Sequence, residues 1–370
     1  MGKWGRDRTL MRFVDIVRTE KPDIVCPTFL DVPGQHGHHR AMTEAAHLVM
    51  SMAADPNYAG SALAPWQIKK LYLPAFSGAG QAYDDDVPPP PATITIYADG
   101  FDPVSGWSYE RLGQQSRAFH RTQAMGSWVP AGKERNWPLH LAESHVDGPD
   151  ETVFSGLPYD LAALGLDEAQ AHIDAALAAF PDFKKVLAEA NAALRALENA
   201  QIDPEYTHKI DRKREQLAHV IRIASGAVVH AWLERDILRP TDQVSINIET
   251  RQGIADRLET SLCLPDGWRE SESVISLENA GLSVPYPRVY LPNQPFEPCV
   301  QITLDIDGQK STTRQQLEVS PLVLPQKSAD LTPTKEIINC QASRREIALR
   351  ISNVVPESAH STLTLPTGWN

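Results

Sequence analysis

The sequence predicts an α/β chain made of parts. An open α/β sheet comes first, then a helical segment, then immunoglobulin-like β-sandwich modules. Three observations carry this reading. A helix–strand–loop–helix pattern fills the first 54 residues. Residues 159–238 are rich in Ala, Leu, Glu and Arg with apolar side chains at helical spacing. From Arg239 the apolar period falls to two, and a seven-residue phrase recurs 101 residues later.

The elements follow in order. Leu10, Phe13, Val14 and Val17 make one face of a helix over residues 8–19, and Pro22 stops it. Ile24-Val25-Cys26 reads as a short buried strand of a parallel sheet. A Pro/Gly loop through Asp31 and Gly34 leads into His36-Gly37-His38-His39, and a helix with Ala41, Ala45, Ala46 and Val49 on its face follows from Arg40 to Ala54. Ligands of open α/β sheets bind beyond the carboxyl ends of the strands, which is where this histidine loop falls. Leu71–Leu73 and Thr93–Tyr97 are further strands, and a helix is expected from Tyr109 to Met125, carrying His120. Between those strands Asp84, Asp85 and Asp86 form a candidate calcium loop. It lacks the neighbouring oxygen ligands of such a loop and reads as solvated.

In the helical segment Leu177, Phe180, Val186, Leu187, Leu194 and Leu197 recur at helical spacing, as do Leu217, Val220, Ile221, Ala224 and Val228. Two or three packed helices result, with the stripe as core and His219 and His230 as structural histidines. Val244–Ile248 alternates, and Pro, Gly and Asn punctuate short strands up to Leu324. The predicted domains are therefore residues 1–158 (α/β), 159–238 (helical), 239–325 (β-sandwich) and 326–370 (a linker and the start of a second sandwich). The repeat joins the last two. Leu262-Cys263-Leu264-Pro265-Asp266-Gly267-Trp268 matches Leu363-Thr364-Leu365-Pro366-Thr367-Gly368-Trp369. A period near 100 fits tandem sandwiches of roughly 100 residues each.

Charge narrows the partners. Lys+Arg total 35 and Asp+Glu 47, a net charge of −12 that repels phosphate backbones and anionic membranes. No apolar run approaches the ~18 residues of a membrane span, and no apolar signal core follows Met1. Nucleic acid and membrane spans are thus not expected. Cys26, Cys263, Cys299 and Cys340 contain no Cys-x-x-Cys pair. Cys263 and Cys299 read as buried thiols, with pairing in an oxidising compartment as the alternative.

Four of the twelve histidines lie within residues 36–47. His36 and His39, three apart at a loop-to-helix junction, can face one cleft, and neutral imidazoles suit Zn²⁺. A polar loop with backbone-bonded histidines is the other reading. No His-Glu-x-x-His, Gly-x-Ser-x-Gly or Walker loop is present.

The run Gln35-His36-Gly37-His38-His39-Arg40-Ala41 before a small-residue helix resembles the second signature of the PIG-L/LmbE-like deacetylases, usually His-Pro-Asp-His-Arg. Ala118-Phe119-His120-Arg121-Thr122-Gln123 resembles that family's later His-x-Thr/Ser-Gln motif. The stretches around Trp66, Lys70-Leu71-Tyr72, Gly106-Trp107-Ser108-Tyr109 and Ser116 resemble a multi-domain branch of it. The resemblance covers roughly residues 8–160. It implies an LmbE-like, Rossmann-like sheet and zinc-dependent hydrolysis of the N-acetyl amide of N-acetylglucosaminyl substrates. It further implies His39 as a zinc ligand, His36 as the group that polarises the acyl carbonyl or stabilises the oxyanion, and His120 on the substrate side. His38 stands where the family often has Asp.

The family's first signature, His-Pro-Asp-Asp, which brings two further ligands and the carboxylate base, does not occur in the sequence. His145-Val146-Asp147 is only an echo of it. The sheet is therefore expected to lack its first βα units, and the chain alone to hold Zn²⁺ weakly and hydrolyse little. A second reading is a glycan- or partner-binding protein with tandem β-modules and a degenerate α/β domain. In it tryptophans such as Trp268 stack on sugars, although the repeated Pro-x-Gly turn argues for packing.

Overall fold

The computed structural model describes residues 2–370 except 77–86, 124, 131–132, 134–135, 285–296, 328, 338–340, 342–345, 354–359, 361, 366 and 369–370. Asp84–Asp86, Cys340 and Trp369 lie outside the described residues. The chain is of the α/β class, with helices and several mixed or antiparallel sheets. It divides into two units, one covering Met1–Asp167 and the other beginning at Glu168.

The first unit opens with α1 (Arg6–Glu20), β1 (Ile24–Val25), α2 (Gly37–Met52), β2 (Lys70–Pro74), β3 (Ile94–Tyr97), α3 (Tyr109–Arg117) and β4 (Asn136–Ser144). The strand order is β1-β2-β4-β3. Only β1 and β2 are parallel, whereas β4 runs antiparallel to β2 and β3. The sheet is therefore mixed, not the parallel sheet the sequence predicts, and β1 is half-buried, not fully buried.

Successive residues of a strand face opposite sides of a sheet, and β2 shows the consequence. Leu71 joins Val14 and Val17 of α1 with Ala46, Val49 and Met50 of α2 in one apolar cluster. Its neighbour Tyr72 packs with Ile94 and Leu139 in another. Arg18, 3% exposed, ties α1 to the carboxyl end of α2. Its guanidinium donates to the carbonyls of Ala53 (3.0 Å), at the end of α2, and of Asp55 (2.6 Å) and Leu63 (2.8 Å) in the loop that follows.

The helix expected over 109–125 stops at Arg117, so His120 lies beyond it. The reason is Gly126. At φ +94° the chain doubles back onto the helix end, so close that an added Cβ would sit 2.8 Å from backbone atoms of Ala118 and Gln114.

The second unit contains α4 (Asp167–Ala179), α5 (Phe183–Asn199) and α6 (Thr207–Ser225). Val186, Leu187, Leu194 and Leu197 of α5 are buried, and so are Leu217 and Ile221 of α6. Leu177 (72% exposed) and Phe180 (51%) are not core, contrary to the stripe read from the sequence. Gly226 ends α6 in the left-handed region. Val228 and His230 therefore belong to a strand, β5 (Val228–Leu233), and not to a helix.

The β region follows: β6 (Ile237–Leu238), β7 (Gln243–Arg251), β8 (Arg257–Cys263), β9 (Arg269–Ser271), β10 (Val274–Ser276), β11 (Cys299–Ile306), β12 (Gln309–Gln316), β13 (Leu322–Val323), β14 (Ala329–Thr332) and β15 (Arg350–Asn353). The larger sheets have orders β5-β7-β10-β9 and β12-β11-β8. The β13 strand, at the end of the predicted sandwich module, pairs in parallel with β6. Val244 and Ile246 of β7 are buried in alternation with exposed neighbours, as the period of two requires. Trp268 is buried at 9% exposure behind its Pro265–Gly267 turn. In the second copy of the repeat, Leu363–Leu365 are exposed and outside any strand. Among the described residues no helix is long and apolar enough to cross a membrane.

Candidate metal centre

The loop from Cys26 to Gln35 carries the chain from the carboxyl end of β1 to the first turn of α2. Thr43, buried on α2, donates its hydroxyl to the Phe29 carbonyl at 2.6 Å and so anchors that loop on the helix. His36 is the residue before α2, and His38 and His39 are in its first turn. Successive helical positions are turned by about 100°, so His38 and His39 leave the helix in different directions.

The three rings nevertheless form a cluster. Ligand nitrogens of His36, His38 and His39 all lie within 4.8 Å of one another, an arrangement able to hold a metal ion. The His38 and His39 rings meet edge-on at 4.0 Å, and His36 lies 5.5 Å from His38 and 5.3 Å from His39. Phe29 stacks on His39 at 4.1 Å and fixes its ring plane.

Gln35 decides the chemistry of His39. One oxygen, Oε1, lies 2.9 Å from the backbone N–H of His36 and 2.8 Å from Nδ1 of His39. A backbone N–H can only donate, so the shared atom is the amide oxygen, an acceptor. Nδ1 of His39 therefore carries the proton, and Nε2 keeps the lone pair that a metal requires. Burial, and the neighbouring His38 and His36, push the His39 pKa down, which favours the neutral ring. Beside His39 an apolar cavity of about 410 Å³ is lined by Phe13, Val25, Cys26, Phe29 and Met42.

His36 and His39 thus lie together. His38, whose role the sequence left open, joins them as a third imidazole, so the donor set is larger than the single His39. The signal was present as three histidines in four positions, but spacing alone does not give ring directions. His120 is exposed, just past α3, and is not one of the three clustered residues. His145 lies 2.7 Å from Glu143. Among the described residues no carboxylate joins the three imidazoles. The chain matches no family model, no curated protein and no solved structure.

Proposed function

We propose that the first unit carries the metal-binding part of a zinc-dependent amide hydrolase of the PIG-L/LmbE-like deacetylase kind, acting on N-acyl amino sugars. The convergence of His36, His38 and His39 within 4.8 Å is the observation that carries the reading. Three imidazoles suit a catalytic zinc, which typically takes three protein ligands and one water. Bound there, zinc would polarise the acyl carbonyl and lower the pKa of its water. Gln35 holds His39 in the metal-binding tautomer and Phe29 holds its plane. The apolar cavity beside His39 offers space to the acyl group.

The finer fold descriptions belong to the same proposal. The parallel β1/β2 pair with the histidine loop beyond it supports a Rossmann-like sheet. The two larger β sheets of the second unit support an immunoglobulin-like sandwich. Amide hydrolysis also needs a base for the attacking water. With no carboxylate in the cluster among the described residues, we assign zinc binding to this chain and only weak hydrolysis to it alone. The glycan-binding alternative loses its sequence argument at Trp268, whose ring is buried.

The test is zinc content after loading and desalting, for the native chain and for His36→Ala, His38→Ala and His39→Ala. One zinc per chain, lost in His39→Ala, is expected. A native chain that retains no zinc overturns the proposal. Robust deacetylation of N-acetylglucosamine by the chain alone would overturn the assignment of weak hydrolysis.

A further inference from the structure

A second reactive cluster lies in the other unit and is independent of the histidine site. The β11 strand is the central strand of the sheet β12-β11-β8, and β8 is an edge strand. Their antiparallel register sets Cys299 directly opposite Cys263, at the last pair of the ladder. Residues directly opposed in such a ladder have Cα atoms about 4.5 or 5.5 Å apart, inside the roughly 4.4–6.8 Å window that a disulfide spans. Both cysteines are free thiols; Cys299 is buried and Cys263 half-buried. The register thus places the two thiols side by side at the end of the ladder. The ladder therefore already supplies the approach that an engineered disulfide must impose by moving the backbone.

We propose that Cys263 and Cys299 form a dithiol site that takes a low-molecular-weight disulfide of the glutathione class and closes into a cross-strand disulfide.

The order of steps follows from burial. Cys263, on the edge strand and half-exposed, is the sulfur an incoming disulfide RSSR can reach. Burial and the adjacent Cys263 push the Cys299 thiol up to about 11, with Glu297 adding and Arg314 opposing, so Cys299 remains protonated and waits. In the first exchange the Cys263 sulfur attacks RSSR. Its S–S bond breaks, Cys263–S–S–R forms, and RSH leaves with the proton that Cys263 gave up. In the second, the Cys299 sulfur attacks Sγ of Cys263. The mixed disulfide breaks, a second RSH leaves with the Cys299 proton, and the Cys263–Cys299 bond remains. The two protein thiols are oxidised by two electrons in total, and one RSSR is reduced to two RSH.

The bond would close the segment that leaves the sheet after Cys263, supplies β9 and β10 to the other sheet, and returns at Cys299. Closing such a loop restricts the unfolded chain, so the oxidised module should resist unfolding more than the reduced one.

The experiment incubates the full chain with oxidised and reduced glutathione at several ratios, quenches with an alkylating reagent, and maps peptides without reduction. The expected result is joint loss of two alkylatable thiols and a peptide pair linked through Cys263 and Cys299. Cys299→Ser should accumulate the glutathione adduct on Cys263, and Cys263→Ser should leave Cys299 unmodified. If Cys299→Ser fails to fold, a quench time course of the native chain serves instead, with the Cys263 adduct expected before the link. The proposal is overturned if Cys263 stays alkylatable at full oxidation. A persistent unresolved adduct in the native chain, or a link from either residue to Cys26 or Cys340, overturns it as well.

Discussion

Oε1 of Gln35 accepts the Nδ1–H of His39 across 2.8 Å, and that contact leaves Nε2 as the imidazole nitrogen with the free lone pair. Gln35 is itself buried at 8% exposure, so its amide is held in place. Partners of this kind typically contribute 10–100-fold to metal affinity. Gln35→Leu should therefore weaken zinc binding by roughly 10–100-fold, while Gln35→Glu, which still accepts, should keep it. Competition against a chromogenic chelator measures both, with circular dichroism to confirm that the helix persists. Equal affinities for the Leu variant and the native chain would remove Gln35 from the site.

A buried ionic knot on β2 gives a prediction in pH. The Lys70 ammonium, at 2% exposure, lies 3.2 Å from Oδ1 of Asp150, whose other oxygen accepts from the Thr93 hydroxyl at 2.9 Å. The Tyr72 hydroxyl donates to the same carboxylate. Burial alone would raise the Asp150 pKa, but hydrogen bonds from Tyr72, Thr93 and Lys70 outweigh it and hold the carboxylate below its usual value. A lowered folded pKa means that the stabilisation is present above the unfolded value of about 3.9 and is lost as pH falls through the folded value. Stability of the first unit should thus decline only in acid, below about pH 4. Asp150→Asn should remove that acid limb. It should also cost about 3–5 kcal/mol at neutral pH, because Lys70 is left charged and buried. Denaturant melts at several pH values test both. An unchanged acid limb in the variant would assign it to other carboxylates.

Much of this fold is legible in the sequence where one period dominates, and illegible where a single residue breaks it. The apolar faces of α1 and α2 read directly because Val14, Val17, Ala46 and Val49 all point at one cluster. The end of α3 does not, because Gly126 stops it from nine residues downstream by folding back on Ala118. The start of β5 was hidden because Val228 falls four residues after Ala224 and so prolongs the helical stripe. Gly226, between them at φ +71°, is the signal that outranks it. Leu177 and Phe180 keep helical spacing yet stay exposed, since periodicity reports a face and not what covers it. The histidine run marked the site, but only ring geometry brought His38 into it.

Arg18 offers a test of how α1 and α2 are joined. Its guanidinium is almost wholly buried and is spent on main-chain carbonyls of residues 53, 55 and 63, with Tyr58 5.8 Å from it. Hydrogen bonds from a charged donor contribute about 1.5–3 kcal/mol each and are not additive. Arg18→Met keeps most of the apolar stem but removes the charged donor from those carbonyls, leaving Ala53 and Asp55 only their backbone donors, Trp66 and Tyr58. It should lower the stability of the first unit by about 2–4 kcal/mol and expose the 53–63 loop to proteases. Limited proteolysis with peptide identification reads the second effect. Unaltered cleavage around residues 53–63 would show that Tyr58 and Trp66 hold the loop without Arg18.

The two copies of the repeated phrase make the last prediction, since both place glycine in the left-handed region, Gly267 at φ +82° and Gly368 at φ +90°. A side chain in that region costs on the order of 1–3 kcal/mol of strain by itself. At Gly267 there is a second cost. An added Cβ would lie 2.3 Å from the carbonyl oxygen of Asn279, a backbone atom that cannot swing aside, whereas at Gly368 nothing among the described residues lies within 4 Å. Gly267 is thus held in a packed module in the first copy, with Trp268 buried beside it. Gly267→Ala should destabilise the second unit clearly more than Gly368→Ala, whose penalty stays within about 1 kcal/mol of a surface turn substitution. Equilibrium denaturation of the two variants, followed by the fluorescence of the buried tryptophan, separates them. Equal penalties would mean that the close approach of Gly267 to Asn279 relaxes at little cost, and that only the backbone angle matters at either copy.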